Sequence, residues 1–282
     1  MRREWSLNEK YMWRQAPPDQ GDFMKIHGLQ KMTLLDFPGR VACTVFLGGC
    51  DFRCPYCHNF ELVTGEAKPL MDDEKLFAFL EKRHGLLDGV AITGGEPCLN
   101  PGLPGLLRRI REMGFLTKLD TNGYHPDVLS SLLEEGLVDY VAMDIKNSPG
   151  KYAETAGIFD ASAAQSGAGV HEAAQSPGSS GMQMSAAQNG FDLDKIRKSI
   201  ALLINGTVDY EFRTTVVKEL HEDADFEAMG QMIRGAKRYF LQCFTDRDTV
   251  PFGNLHGPEP EEIEQFAEIA RRYVPETQVR GV

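Results

Sequence analysis

The strongest constraint on this chain is an alternation that runs through most of its length. Short apolar, β-branched runs alternate six times with segments of helical periodicity. The apolar runs lie at 41–49, 89–93, 115–120, 138–143, 210–217 and 239–244. The helical segments lie at 71–80, 101–113, 126–135, 194–203, 224–236 and 258–273. Val41-Ala42-Cys43-Thr44-Val45-Phe46-Leu47 is nearly unbroken in its apolar character, as a strand covered on both faces requires. Asp72 and Asp73 open the first helical segment, where carboxylates complement the helix dipole. Such alternation means parallel strands joined by right-handed helical crossovers. Doubly wound sheets and (β/α) barrels both satisfy it. The polar and glycine-rich groups favour a barrel, because they all fall at the C-terminal ends of strands. They are Cys50–Asn59, Gly94-Gly95-Glu96-Pro97, Asp120-Thr121-Asn122-Gly123, and Asp144 with Lys146. In a barrel those ends form one mouth, where chemistry is built. Six units predict an α/β chain folded as an incomplete (β/α)6 barrel with an open side.

The 282 residues suit one large domain, expected over 23–282. Residues 1–22 are broken by Pro17, Pro18, Asp19 and Gly21 and are expected to be a poorly ordered lead-in. Residues 25–39 are expected to form a short hairpin or loop ending in the Pro38-Gly39 turn. Residues of about 157–189 are rich in Ala, Ser, Gly and Gln, and predict a low-complexity surface insertion without a catalytic role. A net charge of −11 argues against a general binder of nucleic acid or anionic membrane. No apolar run approaches the ~20 residues of a membrane span. The N-terminus lacks a signal-peptide pattern, so a cytoplasmic location is expected, where thiols stay reduced.

Three of the six cysteines, Cys50, Cys54 and Cys57, fall within eight residues, spaced C-x3-C-x2-C. Thiolates so placed can reach three corners of a small iron–sulfur cluster and leave the fourth iron without a protein ligand. An open iron can hold a substrate or cosubstrate directly. A structural zinc site of the Cys3His kind, completed by His58, is the alternative. Zinc sites usually pair two separated knuckles, and His58 directly abuts Cys57, a poor spacing for two ligands of one tetrahedron. Cys43, Cys98 and Cys243 sit in or beside apolar runs and are expected to be buried small hydrophobes.

Cys50-x3-Cys54-x2-Cys57, with Tyr56 before the third cysteine and Gly94-Gly95-Glu96-Pro97 downstream, resembles the radical S-adenosylmethionine (radical SAM) enzymes. Cys57-His58-Asn59, Leu119–Gly123, Met143–Lys146 and the Arg213 strand look like the glycyl-radical-enzyme activating branch. Within it, Ile26–Lys31, Asp36–Gly39 and Tyr210–Val217 look most like anaerobic ribonucleoside-triphosphate reductase activating proteins. The resemblance covers about 23–282 apart from the insertion. It implies the incomplete barrel of the radical SAM type, with a [4Fe–4S] cluster on Cys50, Cys54 and Cys57 and S-adenosylmethionine on the open iron. It also implies reductive cleavage to a 5′-deoxyadenosyl radical, which takes a Cα hydrogen from a glycine of a partner enzyme. Flavodoxin or ferredoxin is the implied electron donor.

Residue roles follow from the same resemblance. Gly94, Gly95 and Glu96 are expected to meet the methionine ammonium, with Glu96 as a charge-assisted acceptor. A plain strand-to-helix turn is the alternative for the glycines. Tyr56 is expected against the adenine, or packing the cysteine loop. Asp144 and Lys146 share a face by strand alternation and are expected near the cosubstrate, or as a rim ion pair. Arg213 is expected toward the cosubstrate carboxylate, with pairing to Glu211 as the alternative. Asp120 and Thr121, with Asp144, are expected to hold a monovalent cation through oxygen ligands, or merely to form a turn. Lys218-Glu219-Leu220-His221 departs from the Pro-Gly that many relatives carry before Leu-His. The ribose contact at the end of the sixth strand is left between Gln242 and Thr245. Three other functions compete: an activator of a pyruvate formate-lyase type enzyme, a radical enzyme acting on a small molecule, and a zinc-stabilised binding module.

Overall fold

The computed structural model describes residues 24–158 and 190–281. The expected lead-in at 1–22 lies outside the described residues, as does the expected insertion at 157–189 apart from Gly157 and Ile158.

Nine strands form one sheet among the described residues. They are β1 Lys25–Thr33, β2 Ala42–Leu47, β3 Met71–Asp72, β4 Gly89–Gly94, β5 Leu116–Thr121, β6 Tyr140–Asp144, β7 Asp209–Val216, β8 Tyr239–Cys243 and β9 Thr277–Arg280. The helices are α1 Phe60–Thr64, α2 Asp73–Glu81, α3 Leu103–Glu112, α4 Pro126–Glu134, α5 Tyr152–Thr155, α6 Leu193–Asn205, α7 Asp223–Met232 and α8 Pro260–Arg271. The sheet order is β3-β1-β2-β4-β5-β6-β7-β8-β9. From β2 to β9 every neighbouring pair is parallel. Among the parallel strands, β2 to β9, the order never reverses, which excludes a doubly wound sheet. Sequential right-handed crossovers put the helices on one common face. Accordingly α4 packs on α6, and α7 on α8. The edges β3 and β9 do not pair with each other, so the sheet stays open. This is the expected incomplete barrel with an open side.

Local sequence explains the elements. In α3, buried Leu103, Leu106, Leu107 and Ile110 form one apolar stripe while Arg109 and Arg111 close its last turn. The Asp72 carboxylate caps α2, accepting from the Lys75 amide at 2.9 Å. The parallel strands β2, β4 and β6 are buried through most of their length.

Two expectations need correction. Residues Lys25–Thr33 form a strand antiparallel to β2, rather than a hairpin or loop. The strand is half exposed and carries His27, Gly28, Gln30 and Lys31, so it lacks the apolar run that marks a buried strand. The terminal β9 is a parallel edge strand beyond the six expected units. Among the described residues no helix is long and apolar enough to cross a membrane.

Candidate functional site

The cysteine loop leaves β2 at its C-terminal end and folds over the mouth of the sheet. Gly49 takes a positive φ of 87°, which turns the chain out of the strand. The loop is then pinned from several sides. Arg53 donates to the carbonyls of Cys50 at 2.6 Å and Phe52 at 2.8 Å, and its amide donates to Ala156 at 2.8 Å. Gly157 sits so close that a Cβ there would overlap the Arg53 carbonyl. Cys50, Cys54 and Cys57 line one wall of a cavity of about 270 Å³. All six cysteines are free thiols, and Cys43, Cys98 and Cys243 lie off this wall. The other walls carry Gly94, Gly95, Asp120, Thr121, Asn122, Asp144, Lys146 and Arg213, with Thr215 and Gln242. The strand topology therefore brings every motif at a strand end into one cavity.

The structure gives the glycine pair a packing reason. A Cβ on Gly94 or Gly95 would overlap the backbone of Leu47 or Gly49, respectively. The amides of Gly95 and Glu96 donate to the carbonyls of Leu47 (2.9 Å) and Gly49 (2.7 Å). Asn59 donates to the Gly94 carbonyl at 3.0 Å. The glycines zip the end of β4 onto the root of the cysteine loop, and both still line the cavity.

Glu96 departs from expectation. Its side chain is fully buried and does not line the cavity. Oε1 accepts from the Cys98 amide and the Thr121 hydroxyl, both at 2.9 Å, and Oε2 accepts from the Asn122 amide at 2.6 Å. Its carboxylate is a strut between the ends of β4 and β5, held outside the lining of the cavity.

The opposite wall is an alternating charge chain. Lys118 pairs with Asp120. Arg213 reaches Asp120 at 3.3 Å and Asp144 at 2.9 Å, and Lys146 meets Asp144 at 3.0 Å. Asp144 and Arg213 are register partners on β6 and β7, which fixes their meeting. Glu211 turns elsewhere, accepting from Tyr140 at 2.9 Å and from Arg280 at 3.1 and 3.2 Å. Burial opposes ionisation of Asp144, but Arg213 and Lys146 override it and hold its pKa at about 2. Burial alone would favour a neutral Lys146, and Asp144 pushes its pKa the other way, well above the usual amine range. Three cations against two carboxylates leave one positive charge in excess. That surplus suits an anionic group such as a carboxylate. Asp120 and Thr121, expected around a monovalent cation, are instead engaged here by Lys118, Arg213 and Glu96.

Tyr56 is buried, packs edge-on against Phe244, and its hydroxyl has no hydrogen-bond partner among the described residues. Gln242 lines the cavity, whereas the Thr245 carbonyl is taken by His58 Nε2 at 2.7 Å. In the departing Lys218–His221 segment, His221 is buried and its Nε2 reaches the Lys146 carbonyl at 3.0 Å. Sequence pattern alone assigns no role to Asn59, Asp51, Lys118, Asn122, His125 and His221, which belong to the site or its support. Asp51 and Asn59 lie in the cysteine loop, Asn122 in a turn motif and His221 in the departing Lys218–His221 segment, whereas Lys118 and His125 belong to no such motif.

Burial pushes the Cys54 thiol up to about 11 and raises Cys50 and Cys57 as well, so all three are protonated thiols at neutral pH. Thiolate ligation must therefore release protons. Three thiols on one wall, with no fourth lining the cavity, fit a cluster with one open iron. His58 Nε2 is engaged by Thr245 and its ring stacks on Phe244, which disfavours it as a fourth zinc ligand. The unpartnered Tyr56 hydroxyl and the surplus positive charge fit a polar, partly anionic cosubstrate.

Residues 44–164 match the model of the Radical SAM superfamily. The chain is 28% identical over 261 residues to a protein of Methanocaldococcus jannaschii that bears the provisional name of a glycyl-radical enzyme activating enzyme, covering 91% of this chain and 96% of that one. It is 34% identical over 128 residues to the pyruvate formate-lyase-activating enzyme of Clostridium pasteurianum, covering 44% of this chain and 52% of that one. The solved structure of Streptococcus suis SuiB bound to S-adenosylmethionine shares the fold, with a TM-score of 0.55 at 11% identity over 84% of this chain and 52% of that one. Residues 44–164 carry a radical SAM domain, and the chain is an enzyme whose cofactors are a [4Fe–4S] cluster and S-adenosylmethionine.

Proposed function

We propose that this enzyme activates a glycyl radical enzyme, with anaerobic ribonucleoside-triphosphate reductase the first candidate partner. The observation that carries the proposal is the shared cavity. Three thiols without a fourth share a cavity suited to a small cosubstrate with the paired charges of Asp120, Asp144, Lys146 and Arg213. Similarity along nearly the whole length of a relative named for glycyl-radical activation supports the reaction class. The partner assignment rests on the Ile26–Lys31, Asp36–Gly39 and Tyr210–Val217 motifs.

In this reading Cys50, Cys54 and Cys57 hold the cluster. When bound, cluster and cosubstrate supply a one-electron cleavage that yields a carbon radical able to take a hydrogen atom from a glycine. Arg213 and Lys146, locked by Asp120 and Asp144, attract the cosubstrate carboxylate. Gly94 and Gly95 keep the wall free of side chains where the amino acid part would lie. Glu96 acts behind them by holding Thr121 and Asn122 in place. Tyr56, backed edge-on by Phe244, offers an aromatic side chain in the cavity wall for a purine ring. The carboxylates of Asp120 and Asp144 retain the capacity for a monovalent cation only where Lys118 or Arg213 withdraws. The open side between β3 and β9 would admit a glycine-bearing loop of a protein partner.

The test is electron paramagnetic resonance on the anaerobic enzyme mixed with reduced flavodoxin or ferredoxin, S-adenosylmethionine and a candidate partner. A glycyl radical signal on the reductase supports the reading. A signal only on a pyruvate formate-lyase type enzyme reassigns the partner. Cosubstrate cleavage without a protein radical on either refutes activation.

A further inference from the structure

Asn122 is held at more points than a turn residue needs. Its amide donates to Glu96 Oε2 at 2.6 Å. Its side-chain Oδ1 accepts from the Tyr124 amide at 2.9 Å, which fixes which way the carboxamide points. Nδ2 is thereby turned toward the cysteine loop. One of its two N–H groups reaches Asp51 Oδ1 at 2.9 Å. The same Nδ2 lies 3.9 Å from Cys50 Sγ. Asp51 is itself held in place, since its Oδ2 meets His125 Nε2 at 3.0 Å. Asn122 is nearly buried.

The charge balance around Cys50 explains why such a donor matters. As a cluster ligand Cys50 is a thiolate and has no proton to donate to Asp51, which sits next to it in the chain. The Asp51 carboxylate therefore repels the sulfur and penalises the extra electron of the reduced cluster. Among the described residues two groups donate toward Cys50 Sγ: the Phe52 amide at 3.4 Å and Asn122 Nδ2. The backbone donor is fixed by the loop itself. The side-chain donor is supplied from the turn that follows β5, across 72 positions of sequence. Hydrogen bonds to cluster sulfurs set reduction potential, because they stabilise the more negative, reduced state.

We propose that Asn122 is a positioning residue that acts through Cys50. Its carboxamide bridges the Asp51 carboxylate and the Cys50 sulfur, offsets the negative charge of Asp51, and raises the potential at which the cluster accepts its electron. This rests on the cluster assignment above, which iron and sulfide content tests separately. The experiment is a mediated titration with dithionite, followed by electron paramagnetic resonance, on the reconstituted full chain and on Asn122→Ala and Asn122→Leu. Both replacements are neutral, and leucine keeps the volume while removing the donor. The variants are expected to retain the iron and sulfide content of the parent. At a fixed solution potential their ratio of reduced to oxidised cluster is expected to fall about tenfold, equivalent to about 59 mV for a one-electron couple. Where alanine prevents folding, the leucine variant carries the same comparison. An unchanged or higher reduced fraction in a variant with full iron content overturns the proposal.

Discussion

Replacing Glu96 by Gln separates a strut from a ligand. The wild-type carboxylate is fully buried and receives three donors, two on Oε1 and one on Oε2. The amide can keep its oxygen on the Cys98 and Thr121 donors, but its NH2 group then faces the Asn122 N–H at the 2.6 Å contact. One charge-assisted hydrogen bond is lost, worth about 1.5–3 kcal/mol, and a buried N–H is left unsatisfied at a cost of about 1–3 kcal/mol. A neutral amide is cheaper to bury than a carboxylate, which offsets part of this. The net loss is about 2–4 kcal/mol. At about 2–4 °C per kcal/mol for a domain of this size, the unfolding midpoint falls by roughly 5–15 °C. The assay is thermal unfolding by circular dichroism on the protein without cluster or cosubstrate, so no ligand contributes. A Glu96→Gln variant with the wild-type midpoint that has lost only cosubstrate affinity would refute the strut and restore a direct ligand contact.

The class of the fold was legible in the chain because alternation and the placement of polar residues survive without knowledge of contacts. The six parallel strands and the common mouth followed from that pattern. Strand β1 did not, since an edge strand exposed on much of its surface has no need of an apolar run. Within the site, residue type announced Glu96 as an acceptor but not which donors the fold would bring to it. Two of its partners lie at and just past the end of the next strand, 25 and 26 positions away. Arg213 had two candidate directions along β7, toward Glu211 or toward the mouth. The register of β7 against β6, which sets Arg213 opposite Asp144, decides between them and is not written in local sequence. Asp51, Asn122 and His125 escaped notice for the same reason: their contacts join segments 71 and 74 positions apart.

Further outcomes follow from the same geometry. Arg213→Met removes the cation that bridges two carboxylates, and loss of one partner from a buried network costs about 3–5 kcal/mol; calorimetry should show both a lower unfolding midpoint and at least tenfold weaker cosubstrate binding, and unchanged binding would contradict the carboxylate contact. Lys118→Met frees one oxygen of Asp120 for a hard cation; cosubstrate cleavage by this variant should become dependent on added potassium while the parent stays indifferent, and a potassium-dependent parent would contradict the role of Lys118. His221 sits buried between the Lys146 carbonyl at Nε2 and the Val217 backbone at Nδ1, and burial outweighs these contacts and lowers its pKa below the usual 6.5. Its stabilising contribution is therefore full above about pH 6.5 and is lost as the pH falls through the lowered folded-state value. The unfolding midpoint should drop as the pH falls below about 6.5, and His221→Gln should flatten that slope; an equally steep slope in the variant would exclude His221 as its source.

The central claim concerns three thiolates and one unclaimed iron, and metal analysis after oxygen-free reconstitution tests it most directly. The parent should carry about four iron and four sulfide per chain. Cys43→Ala, Cys98→Ala and Cys243→Ala should match it, while replacing Cys50, Cys54 or Cys57 should abolish the cluster. A colourless parent holding one zinc and no sulfide, or a full cluster in a Cys54→Ala variant, would contradict the account.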